Sequence, residues 1–121
     1  MKVHLTRDSV ANGDDAYPKE LIVGNDTELA EILRVVSRSN FLASIAGGEA
    51  TWSAVSKIPL AVLAQQWIEP KILTWSETLP TALDFADNTL FLHFNYHAQQ
   101  DPEVVYEVLR RFQLPRRENH R

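Results

Sequence analysis

Thr89-Leu90-Phe91-Leu92-His93-Phe94-Asn95-Tyr96-His97 sets a row of Leu90, Leu92, Phe94 and Tyr96 against a second row of Phe91, His93, Asn95 and His97. That period of two is the mark of a strand with one face in a core. A few residues later the period changes. Val104, Val105, Val108, Leu109 and Phe112 recur at helical spacing and predict one buried helix face. Asp101 can cap that helix. Pro102 suits its first position, where the missing N–H would have had no partner. Pro115 stops it. A strand that runs straight into an amphipathic helix predicts an α+β chain.

The rest of the sequence fits the same class. Residues 41–67 read as a meander of three strands, with Gly47-Gly48 as a hairpin turn and Lys57-Ile58-Pro59 as the next turn. Within it Leu60-Ala61-Val62-Leu63-Ala64 is nearly all apolar, as in a central strand covered on both faces. Upstream, Asn25 or Asp26 can cap a helix on which Leu29, Ile32, Leu33 and Val36 share a face, and Ser39-Asn40 ends it. Val3 and Leu5 alternate with polar neighbours in a first strand, and Leu21-Ile22-Val23 is a short second one. Ile72-Leu73-Thr74-Trp75 reads as a short edge strand. The expectation is an antiparallel sheet of about five to six strands with two amphipathic helices packed on one face. It forms a single domain over residues 1–115, followed by a basic tail at 116–121.

Composition narrows the function. A chain of 121 residues is the size of one domain. It has no cysteine, so it has no thiolate nucleophile and no cysteine-based zinc site. No run approaches the roughly 20 apolar residues that span a bilayer, and the alternating start is unlike a secretory signal. The expectation is a cytoplasmic protein without a membrane role or a cofactor. The formal net charge is −4. Residues 1–31 hold seven acids (Asp8, Asp14, Asp15, Glu20, Asp26, Glu28, Glu31) against three bases (Lys2, Arg7, Lys19). An acidic domain repels phosphate backbones and attracts basic proteins, which disfavours general nucleic-acid binding.

Four groups of residues carry possible chemistry. His93 and His97, on the outward row of the 89–97 strand, could ligate a metal with a third group or perform acid–base chemistry beside Asn95. The bland alternative is the polar face of a half-solvated sheet. Asp8, Asp14 and Asp15 could gather a cation or, better, a lysine- and arginine-rich protein surface. Otherwise they serve turns and solubility. Trp52, Trp67 and Trp75, with Gln65 and Gln66 beside Trp67, offer interface anchors, unless all three indoles pack inside. The arginines 110, 111, 116, 117 and 121 could meet phosphate, but a solvated helix end is the simpler account. No serine-nucleophile motif is present, and Gly47-Gly48 opens no helix, so it is no phosphate loop.

Val3-His4-Leu5-Thr6-Arg7-Asp8-Ser9-Val10 with Gly13-Asp14-Asp15, then residues 46–52 (AGGEATW) and 59–67 (PLAVLAQQW), resemble a family of small uncharacterised bacterial proteins over most of residues 1–75. In size, acidity and lack of a catalytic motif the chain is also similar in type to immunity proteins of bacterial toxin–immunity pairs, including contact-dependent inhibition systems. That likeness implies a non-catalytic domain that neutralises a basic, nuclease-type toxin domain. Asp8, Asp14, Asp15, Gln66 and Trp67 are the residues expected to meet that partner. The alternatives are a small metal-binding protein or enzyme built on His93 and His97, and a structural subunit that self-associates through a sheet face or edge.

Overall fold

A computed structural model describes residues 1–10, 16–43, 47–73 and 83–113, the side chains of 112 and 113 excepted. The elements are β1 (Lys2–Arg7), β2 (Lys19–Ile22), α1 (Leu29–Arg38), β3 (Thr51–Ser56), β4 (Ile58–Ala64), β5 (Lys71–Ile72), β6 (Phe85–Ala86), β7 (Thr89–Tyr96) and α2 (Pro102–Gln113). Among the described residues the strands form one seven-stranded sheet in the order β2-β1-β7-β3-β4-β5, with β6 paired to β7 off that path. The α+β class and the pairing of one sheet with two helices therefore stand.

The sheet is mixed, because β1 runs parallel to β7 while the other pairs are antiparallel. Leu90, Leu92 and Phe94 of β7 are buried as the alternation requires, beside Val3 and Leu5 of β1 and Trp52 and Ala54 of β3. Ile32, Leu33 and Val36 of α1 close this core from above. Each such side chain contributes about 1.5–3 kcal/mol through its burial.

The helices lie on opposite faces, not on one. Ala61 of β4 and Ile72 of β5 are register partners on the α1 side, and Ile72 packs on that core. Val62 and Lys71, the next pair, must point the other way. There Val62 is fully buried and Lys71 reaches Glu103 and the Tyr106 ring of α2. β4 is thus covered on both sides, which explains its unbroken apolar run.

Other details depart from the sequence reading. α1 starts after Glu28, whose side chain makes no capping bond, and Asn25 instead accepts from the Met1 amino group. Phe41 is not in a strand. It turns into the core and meets the Phe94 ring edge-on at 6.0 Å, and its N–H donates to Ser39 Oγ. Gly47 and Gly48, both at positive φ, lead into β3, and residues 44–46 before them lie outside the described residues. The β3–β4 turn rests on Lys57 at φ 66°. Pro59 lies inside β4, where the register with β3 shifts between Ala54 and Val55, and a bulge is one of the few sheet positions that tolerate proline. Val104 and Val108 are exposed, and Val105 carries the buried stripe of α2. Thr74 and Trp75 of the expected edge strand lie outside the described residues, as do the 116–121 tail and the loop acids Asp14 and Asp15.

Candidate functional site

β1, β7 and β4 all finish at one end of the sheet, because β4 is antiparallel to β3 and β3 to β7. Asp8, His97 and Gln66 each follow one of these strands, so they share that end. Asp8 and Gln66 stand three strands apart, about 14 Å. The sheet thus separates the expected partner-binding residues into two clusters.

The first cluster is polar and lies on the face that carries α2. Parallel register pairs Thr6 with His93. The ladder runs one residue further, with the Asp8 N–H donating to Phe94 O at 3.0 Å, so Asp8 points to the same face as Thr6. Asp8 Oδ1 lies 2.9 Å from His93 Nε2, and its Oδ2 accepts the Tyr96 N–H at 2.9 Å. His93 Nδ1 lies 2.7 Å from Thr6 Oγ1. Partial burial would raise the Asp8 pKa, but the Tyr96 N–H and His93 outweigh it and hold the carboxyl below its ordinary value. Asp8 is therefore an ionised acceptor whose two oxygens are engaged within the chain.

His97 is separate from this line. Its Nε2 lies 2.8 Å from Ser53 Oγ. Burial pushes its pKa down, against a smaller upward pull from Asp8, so the ring favours the neutral form. His93 and His97 thus have hydroxyl and carboxylate partners in the protein. Among the described residues no group of three or more His, Asp and Glu side chains is placed to hold a metal.

The second cluster mixes apolar walls with a polar rim and lies between the C-terminal end of α1 and the end of β4, on the other face. A cleft of about 380 Å3 opens there, lined by Leu42, Ala43, Trp52, Leu63, Trp67 and Ile68 among others. Trp52 is only 2% exposed and belongs to the core, whereas Ile68 is 84% exposed. Much of the polar rim is bonded within the chain. Ser39 Oγ donates to Val36 O and Ser37 Oγ to Arg34 O. Arg38 meets Glu69 at 3.3 Å. Gln65 Oε1 accepts the Ala50 N–H. Trp67 is half-buried, with Lys71 Nζ 5.3 Å from its ring centre, and Gln66 is exposed.

Sequence reasoning missed Thr6 and Ser53, because the parallel β1–β7 and antiparallel β3–β7 pairings that give them their imidazole partners join residues far apart in the chain and leave no local signal. It also missed Ile68, although an apolar residue straight after an anchor tryptophan was visible. Among the described residues no helix is long and apolar enough to cross a membrane. Comparisons with protein-family models, curated proteins and solved structures find no match to this chain.

Proposed function

We propose that the chain is a protein-binding domain that receives an apolar side chain of its partner in the Trp67 cleft, and that this partner is a basic protein such as a toxin domain that the chain neutralises. The cleft is the observation that carries this reading. Its volume falls in the range of ligand sites. Its Leu, Ala and Trp walls offer apolar contact. Ser37, Arg38, Ser39 and Gln65 of its rim are bonded within the chain, so covering them strands few donors or acceptors. An aromatic anchor beside a water-excluding polar ring is the anatomy of an energetic centre in protein interfaces. The net charge of −4 adds attraction and a faster encounter with a cationic surface. Asp8 is left out of the contact set, since both its oxygens are already bonded.

The test is calorimetric titration with the purified product of the neighbouring gene, at low and high salt. Trp67→Ala and Ile68→Asp are expected to weaken binding roughly 30-fold each, the size of an interface hot spot. Added salt is expected to slow association. Equal affinity of both variants and the unaltered chain would remove the cleft from the interface and overturn the proposal.

A further inference from the structure

We propose that Thr6 is an acylatable nucleophile, activated by the line Asp8–His93–Thr6, and that its substrates are short-chain esters. The carboxylate, imidazole and hydroxyl follow one another at 2.9 Å and 2.7 Å. Asp8 can only accept in its ionised form, so the His93 Nε2 contact places the ring proton on Nε2. Nδ1 then presents its lone pair, and the Thr6 hydroxyl is the donor in the 2.7 Å contact. The alternative acceptor for that hydroxyl, Leu92 O, is at 3.5 Å and too distant to compete. The roles match those by which a hydroxyl nucleophile, its base and the orienting acid are recognised on unrelated folds. Here Asp8 takes Nε2 and Thr6 takes Nδ1.

The placement of the groups favours a reaction over simple structural bonding. Tyr96 N–H fixes the second oxygen of Asp8, so the acid orients the ring from a rigid strand. His93 is 41% and Asp8 43% exposed in their side chains, so a substrate can reach them from solvent. Asn95, next after His93 on the same face, brings a side-chain amide able to donate to an oxyanion. Thr6 is half-buried between neighbouring strands, which limits the acyl group to a small one.

The chemistry balances without a cofactor. Thr6 Oγ adds to the ester carbonyl carbon while its proton passes to His93 Nδ1. The tetrahedral adduct breaks its bond to the alcohol oxygen, which leaves with that proton. Water then attacks the acyl-threonine, giving its proton to His93 and releasing the acid as the proton returns to Thr6. The net change is ester plus water to acid plus alcohol.

The full chain is mixed with 4-nitrophenyl acetate, and nitrophenolate release is followed together with the mass of each peptide. The expected result is a burst of release with acetate on Thr6. His93→Gln is expected to slow release about 100-fold, the scale of a lost general base, and Thr6→Val to abolish the burst. Thr6→Ser is expected to restore acylation, which separates loss of the hydroxyl from loss of the fold. His4→Gln removes a surface imidazole paired with Glu20 and is expected to change nothing. Release that survives Thr6→Val, acetate at other residues only, or no release above that of free imidazole would each overturn the proposal. None of these outcomes bears on the Trp67 cleft, which lies on the other face.

Discussion

Asp8 gains from being charged in the folded chain, and His97 gains from being neutral. Both effects oppose acid, at different pH. The depressed pKa of His97 means that the unfolded chain takes up this proton first. Stability therefore falls as pH drops through the ordinary imidazole value and stops falling once the folded ring is protonated. The depressed pKa of Asp8 adds stability that is fully present above the ordinary carboxylate value and is lost as pH falls through the folded value. Urea unfolding between about pH 8 and about pH 3 is expected to show both limbs. His97→Gln should flatten the upper limb and Asp8→Asn the lower one. An unchanged profile in either variant would contradict the assignment. Substitution of Phe94, which is fully buried and touched by the Phe41 ring, belongs to another class. Phe94→Ala should cost about 3–5 kcal/mol at any pH.

Among the elements, the β6–β7 hairpin has the sharpest local requirement. Asp87 and Asn88 both sit at positive φ, 54° and 57°, as the tight turns that match the twist of paired strands demand. Asn tolerates this region and a β-branched residue does not. Asn88→Val is expected to destabilise by about 1–2 kcal/mol in urea, with Asn88→Gly neutral or stabilising. Equal stability of the two variants would mean that the turn carries no strain. These elements also show how far sequence alone could reach. β7, β4 and the Asp101-Pro102 start of α2 were legible, because period and capping chemistry are local. Glu103 N–H indeed donates to Asp101 Oδ1 at 2.9 Å. The strand expected at Phe41 failed because that ring is used in the core, and a strand propensity cannot register such a tertiary demand. Two of four apolar positions between Val104 and Leu109 lie exposed, because a helix that covers only part of a sheet face needs a narrow stripe.

At the scale of the molecule, β7 is the hub, bonded to β1, β3 and β6. β2 and β5 are edges of four and two residues. Amide hydrogen exchange is expected to be slowest in β7, approaching the global unfolding free energy, and fastest in β2 and β5. Greater protection at either edge than in β7 would disprove that hierarchy. The candidate site was half legible for the same topological reason. His93 and His97 stood out as alternating imidazoles, and Trp67 as an anchor among glutamines. Thr6 could not, because what gives it a partner is a strand 87 positions later in register.

That parallel pairing also constrains synthesis. The β1–β2 hairpin leaves the ribosome well before the strand on its inner flank, whose register partners lie 87 positions further along. A growing polypeptide therefore carries Val3 and Leu5 without their permanent neighbour until Leu90 and Leu92 have been added. Pausing, chaperone capture or premature termination would strike the chain while that flank is still open.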